Sequence, residues 1–336
     1  MGTRPPTSID KQPPEAPPAW LRSFEPLFRN RHLETIAGRF WTSPLDESKW
    51  PSAEKLFTTE PDVRVLAHIN RQPSGSSRAT VLAVHGLTAS SQAPYMRNLA
   101  RVALGAGFDV IRLNVRNCGG TEHLAPTLYH SGLTADLRSV VAQLAPTPLF
   151  LVGFSMGGNM VLKLAGEWGR SHPRHVKAVC GISAPIALAS CARHLGLRRN
   201  RIYERRLLRD LLRTVAKKQN LMPQRFSSLR LRGIGSIWNF DEAVTAPAFG
   251  FRDAADYYAH ASAASFLPAI QVPALTIQAK DDPFIPFEVF DLSAFSTNAD
   301  LRLVATEFGG HVAFLARGKP RFWAMEQAVR FFESFL

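Results

Sequence analysis

The run 149–169, LFLVGFSMGGNMVLKLAGEWG, sets a serine between glycines where an apolar, strand-like stretch gives way to helical spacing. Met160, Val161, Leu164 and Ala165 recur at that spacing, so Ser155 in G-F-S-M-G falls on a strand-to-helix turn. Gly153 and Gly157 remove side chains that would clash in so sharp a turn. Ser155 is then presented at a helix N-terminus, where backbone N–H groups favour developing negative charge. The chemistry this permits is attack by a hydroxyl. A chance glycine-rich turn is the plain alternative, and the buried strand before it and the helix after it weigh against that.

A serine hydroxyl is a poor nucleophile at neutral pH and needs a base within hydrogen-bond reach, itself oriented by an acid. AKDDPFIP places Asp281 and Asp282 just past the run ALTIQAK, and FGGHVAFL places His311 just past LRLVATEF. Both stand at the ends of strand-like runs, where α/β sheets assemble their sites. Asp282 is favoured as the orienting acid because it lies nearer the turn made by Pro283 and Pro286; Asp281 is the reserve candidate. His85, His123, His130 and His260 follow no late strand and read as structural or solvated. Acyl chemistry also needs donors for an oxyanion: the N–H of Met156, next to the serine, and that of Leu87 in HGLTASS are the candidates. His85 and Gly86 shape that loop. Cys118 in NVRNCGG reads as a packing residue and Asp136 as a helix N-terminal acid.

These residues need a scaffold, and the strand pattern supplies one. KLFTT and VRVLAHI read as an antiparallel pair joined through Pro61 and Asp62. TVLAVHG, DVIRLNVR, LFLVGFS, VKAVCGIS, ALTIQAK and LRLVATEF follow as short apolar runs, too continuous for half-exposed strands and separated mostly by helical segments, one of them from about Tyr95 to Leu104. Strand, crossover, strand is a parallel α/β sheet. The rhythm breaks between residues 186 and 270, where a long helical insertion, read as a cap, replaces a single crossover. Residues 1–19 are proline-rich and read as a flexible tail, with order beginning at Trp20, Leu21, Phe24, Leu27 and Phe28 and a single domain over 20–336.

With 336 residues, 46% of them hydrophobic and 20% charged, the composition is that of a folded globular chain. No stretch approaches the ~18 consecutive apolar residues of a membrane span, and the start has no signal-peptide core, so a cytoplasmic protein is expected. Three cysteines make no disulfide scaffold, and no Cys/His spacing suggests a metal. The net charge of +13 is concentrated in residues 193–232, where thirteen Lys/Arg meet two acids, Glu204 and Asp210. RIYERRLLRDLLRTVAKKQ sets Leu208, Leu211, Leu212 and Val215 on one helical face and basic residues around the rest. A helix packing its apolar stripe on the sheet edge or over the site, with a solvated basic face, is the simpler reading; weak, reversible association with anionic membrane is the sharper one. Aromatics near this run are too sparse for a nucleic-acid stacking platform.

The motifs PLFRNRHLETI, HGLTASSQAPY, NVRNCGG, GFSMGGN, IWNFDEAVTAPAFGFRDAADYY, AKDDPFIP and GGHVAF together resemble the YheT-like subfamily of α/β-hydrolases, over most of the chain after residue 24. The resemblance implies an α/β-hydrolase fold, a mostly parallel central sheet flanked by helices with a helical cap insertion. It also implies a Ser155–Asp282–His311 triad that needs no cofactor. The expected activity is cleavage of carboxylic esters, acyl or lipid-like, through an acyl-enzyme. Acyl transfer to an alcohol and a non-catalytic binding protein on the same scaffold are the alternatives. Asn117 departs from the arginine or glycine that the subfamily carries after N-x-R.

Overall fold

The computed structural model describes residues 18–336, so the tail expected over 1–19 lies almost wholly outside the described residues. After a short helix, α1 (Arg31–Phe40), eight strands form one sheet: β1 (Ser52–Glu60), β2 (Val63–Asn70), β3 (Thr80–Val84), β4 (Asp109–Leu113), β5 (Leu149–Phe154), β6 (Val176–Ile182), β7 (Ala274–Ala279) and β8 (Leu301–Thr306). Their order across the sheet is β1-β2-β4-β3-β5-β6-β7-β8. β1 and β2 form the expected antiparallel hairpin, β2 also lies antiparallel to β4, and every later pairing is parallel.

The continuous apolar runs have a direct explanation in the two layers that the sheet separates. Val81 and Ala83 of β3 and Phe150, Val152 and Phe154 of β5 enter one layer, with α2 (Pro94–Gly105) and the C-terminal helix Trp323–Glu333. Leu82, Val84, Leu149 and Leu151 enter the other, with α3 (Ala135–Ala142) and α4 (Met156–Trp168). With both faces covered, the regular polar–apolar alternation of a half-exposed strand is not needed. Trp20, Leu21, Phe24 and Leu27 dock on the first layer, Trp20 against Phe331 (5.3 Å between ring centres) and Phe24 against Trp323 (4.9 Å).

Between β6 and β7 the chain is helical, with α5 (Leu188–Leu195), the long α6 (Arg201–Leu221) and shorter pieces as far as Ala254–Ala261. Leu208, Leu211 and Val215 of α6 are buried against Leu128, Phe226, Phe240 and Val244, while Leu212 is half-buried. The stripe therefore packs on the loops beyond β4 and on neighbouring helical pieces, not on a sheet edge. The basic face is not solvated throughout. Lys218 is buried, and its ammonium donates to the carbonyls of Glu122 (2.9 Å) and Ala125, while Lys217 pairs with the Glu122 carboxylate at 2.8 Å. Among the described residues no helix is long and apolar enough to cross a membrane.

One buried ion cluster fixes the loop after β4. Arg116 donates through Nε and Nη2 to both oxygens of Asp136 (2.6 and 2.8 Å), through Nη1 to Thr127 (2.6 Å), and reaches Glu60. Asp136, in the first turn of α3, serves this pair rather than the helix end alone. Asn117 takes a φ of 60° and anchors to the Thr127 carbonyl at 2.9 Å. That left-handed conformation is one that glycine and asparagine tolerate best, which accounts for asparagine at this place. Removing one partner of a buried pair costs about 3–5 kcal/mol because the other charge is stranded. R116M is thus expected to lower stability by that amount in urea denaturation, and R116M/D136L to recover most of it.

Candidate active site

Ser155 sits between the end of β5 and the start of α4 with φ 51° and ψ −122°, a strained conformation for a residue with a side chain. The turn is held by the Ser155 N–H donating to Ile182 O (2.9 Å) and the Asn159 N–H to Ser155 O (3.1 Å). Its glycines are obligatory on steric grounds: a Cβ on Gly153 would lie 2.1 Å from the Gly157 carbonyl oxygen, and one on Gly157 2.3 Å from that of Val84.

His311 follows β8, and its Nε2 lies 3.0 Å from Ser155 Oγ while Nδ1 lies 2.8 Å from Asp282 Oδ2. The buried Asp282 carboxylate accepts further bonds from the Phe284 and Ile285 N–H groups (2.8 and 3.2 Å) and from Gln278 Nε2 (3.2 Å). Acceptor-only at Asp282 puts the imidazole proton on Nδ1, which leaves Nε2 free to accept from the serine hydroxyl. Phe284 stacks on the ring at 4.2 Å and 19°, fixing its plane. Asp281 turns elsewhere: its Oδ1 accepts the Gly310 N–H at 3.0 Å, and burial raises its carboxyl above the ordinary range.

The loop that carries His311 is bent hard, with positive φ at Gly309, Gly310, Val312 and Phe314. Two neighbours on α1 hold it. Thr35 Oγ1 accepts the His311 N–H (2.9 Å) while donating to Arg31 O (2.6 Å). Glu34, buried, accepts the N–H groups of Leu315 (2.6 Å) and Phe28 (3.1 Å), and burial pushes its carboxyl up to about 7. The motif PLFRNRHLETI was visible in the sequence, but nothing in it indicated that α1 would brace a loop near the opposite end of the chain.

The loop after β3 passes close to the serine, since a Cβ on Gly86 would come 3.0 Å from Ser155 Cβ. The Gly86 N–H is committed to Tyr95 Oη (2.9 Å) and that of Thr88 to Tyr129 Oη (3.3 Å). Between them the Leu87 N–H, like that of Met156, donates to no protein acceptor among the described residues. His85 is buried and neutral, accepting from the Val115 N–H (3.1 Å) and donating to Gly86 O (2.8 Å), with burial pushing its pKa down to about 4. His130 packs against Phe249, Phe251 and Tyr257, and burial lowers its pKa to about 3. His123 and His260 are exposed. The Cys118 thiol is buried and pushed up to about 12 by that burial, far from a reactive thiolate.

Ser155 and His311 open on a cavity of about 840 Å³, walled by Ile36 and Phe40 of α1, by Leu188, Leu195, Leu207 and Leu211 of the helical insertion, and by Tyr257 and Tyr258. Its lining is chiefly apolar, which suits hydrocarbon. Among the described residues no group of three or more His, Cys, Asp or Glu is placed to hold a metal ion.

Comparison with known proteins gives a consistent picture. The family model for the alpha/beta hydrolase fold matches residues 79–317. The YheT protein of Escherichia coli (strain K12) is 31% identical over 304 residues, 88% of each chain. A phospholipase, ABHD3, of Mus musculus is 30% identical over 251 residues, covering 73% of this chain and 61% of that one. Among solved structures, the Pyrococcus furiosus esterase Pf2001 superposes with a TM-score of 0.56 at 17% identity, over 88% of this chain and 98% of that one, a likeness of fold.

The brace on His311 can be tested by Thr35→Val, which strands the His311 N–H. Fluorophosphonate labelling of Ser155 is expected to slow about tenfold or more, since small misplacements of reacting groups are costly. Thr35→Ser, which keeps the acceptor, should restore the rate.

Proposed function

Because the chain belongs to the α/β-hydrolase family, in its YheT-like branch, and is by homology a hydrolase of the esterase and lipase kind, we propose that it cleaves carboxylic esters, acyl or lipid-like, through an acyl-enzyme on Ser155. The observation that carries this reading is the unbroken hydrogen-bond chain Ser155 Oγ–His311–Asp282, at 3.0 and 2.8 Å. In the first half-reaction His311 Nε2 takes the hydroxyl proton as Oγ bonds to the carbonyl carbon, and Asp282 stabilises the imidazolium that forms. The oxyanion is held by the N–H groups of Leu87 and Met156, each donor worth on the order of 10²–10³ in kcat in characterised enzymes. Collapse expels the alcohol, which takes the proton from His311. Water, deprotonated by the same imidazole, then attacks the acyl-serine, and collapse breaks the bond to Oγ, which takes the proton back from His311 as the acid leaves. Every proton is accounted for by His311, and no cofactor enters.

The substrate reading follows from the cavity, whose apolar walls and volume favour an acyl chain over a compact polar acid. S155A should retain the wild-type melting profile but lose fluorophosphonate labelling and at least about 10⁴-fold in ester turnover. A p-nitrophenyl ester series is expected to show turnover peaking at one chain length. Residual turnover near wild type in S155A would overturn the assignment.

The finer proposal for residues 193–232 is weak docking on anionic lipid. Arg198, Arg199, Arg201, Arg205 and Arg209 are exposed around the start of α6, and each basic residue near an anionic surface contributes about 1 kcal/mol, enough for reversible association. Co-sedimentation with vesicles containing phosphatidylserine should exceed that with neutral phosphatidylcholine vesicles and fall with added salt. Equal binding to both would sink this part of the reading.

A further inference from the structure

The wall of the cavity carries two arginines that acyl transfer does not use. Arg39 lies in the last turn of α1 and Arg206 in the second turn of α6, and both line the space onto which Ser155 and His311 open. Among the described residues, neither guanidinium is within ion-pair distance of a carboxylate. Other arginines are paired: Arg97 meets Glu47 at 3.0 Å, Arg78 meets Glu333 at 2.9 Å, and Arg116 meets Asp136 at 2.6 Å. The carboxylate nearest in the lining, Asp210, is approached instead by Arg209 (3.7 Å) and Arg213 (3.5 Å).

The two like charges feel each other. Partial burial, and after it the charge of Arg206, hold the Arg39 guanidinium below its ordinary value, against the opposing pull of Asp210 and Tyr95. Such a pair at an apolar wall is repulsive when empty and becomes favourable when an anion is placed between its members. Guanidinium is also the side chain whose fork matches phosphate and carboxylate oxygens. Large apolar side chains stand beside it, left to solvent: Phe40 is 73% exposed, Ile202 83% and Ile36 48%, and all three line the same cavity. A charged fork next to exposed hydrocarbon, with the Arg39 guanidinium 6.0 Å over the Phe40 ring, is complementary to an amphiphile, with an anionic end on the arginines and a chain along the apolar wall.

We propose that Arg39 and Arg206 form an anion subsite at the rim of the cavity, which takes the phosphate or carboxylate group of an amphiphilic ester substrate. That the ligand is a substrate rests on the esterase reading; the binding does not. The subsite would set specificity, favouring acyl esters that carry a negative charge remote from the scissile bond over neutral esters of equal length.

The test is calorimetric titration of the full chain with octyl phosphate, 1-octanol and inorganic phosphate, which needs no turnover and therefore stands even if ester cleavage is not found. Octyl phosphate is expected to bind about tenfold or more tightly than 1-octanol, as charge-assisted hydrogen bonds allow, and to weaken with salt. Inorganic phosphate should bind at least about tenfold more weakly than octyl phosphate, having no chain to place. R39Q/R206Q should abolish the advantage of octyl phosphate over 1-octanol while retaining 1-octanol, and R170Q/R174Q, which alters exposed arginines away from the cavity lining, should leave it intact. Should the double variant not fold, R39Q and R206Q singly are each expected to lose about threefold or more. Undiminished octyl phosphate affinity in the arginine variants, or inorganic phosphate binding as tightly as octyl phosphate, would overturn the proposal.

Discussion

The hydrogen bond from His311 Nδ1 to Asp282, at 2.8 Å, ties the ends of β7 and β8 to each other, and the bond from Nε2 to Ser155, at 3.0 Å, ties them to the end of β5. Much of the surrounding backbone can be understood as what is required to keep those two distances. Ser155 at φ 51° and Ser183 at φ 50° hold conformations that cost on the order of 1–3 kcal/mol each, and Ser183 Oγ in turn accepts the Val312 N–H at 3.0 Å. Strain of that size persists only where the surroundings over-determine it. Here they do: β5 is buried along its whole length and α4 on nearly every face, so the turn between them has no room to relax.

The histidine loop shows a second form of the same constraint. Its bends leave backbone N–H groups that no strand ladder satisfies, and α1 supplies the acceptors through Thr35 and Glu34. That arrangement makes the N-terminal segment part of the site. Docking of Trp20 and Phe24 on the C-terminal helix, and the bond from Leu27 N–H to Leu315 O (2.7 Å), keep α1 where those acceptors are needed. The same helix then contributes Ile36, Arg39 and Phe40 to the cavity, so positioning of the imidazole and shape of the binding space are coupled through one short element.

The positive charge of the chain is divided between interior and surface in a way that net charge conceals. Arg112 is fully buried, donating to Ser91 O (2.8 Å), Gln92 (3.1 Å), Asn70 (3.1 Å) and Ser52 (3.2 Å), and burial pushes its pKa down to about 10. Arg116 and Lys218 are likewise structural. Each satisfies acceptors that would otherwise be orphaned. Exposed arginines stand around the start of α6, and Arg39 and Arg206 line the cavity.

Local pattern carried the strands, the serine turn and the order Ser, Asp, His, because each rests on steric or periodic rules that operate within a few residues: glycine where a Cβ has no room, continuous apolar runs where both faces are covered. It could favour Asp282 over Asp281 only through nearby prolines. Tertiary structure made the distinction, since adjacent residues at a strand end point apart and only one carboxylate reaches the imidazole while the other serves Gly310. Nor could sequence assign PLFRNRHLETI a role, because a bond between residues 35 and 311 leaves no trace at short range. The same holds for charge: Lys218 reads as one of a solvated row, yet it is buried because the loop at Glu122 and Ala125 closes over it. Chain-local sterics were legible in the residues, whereas partnership across the chain, which depends on where distant backbone donors and acceptors are left unpaired, was decided only by the fold.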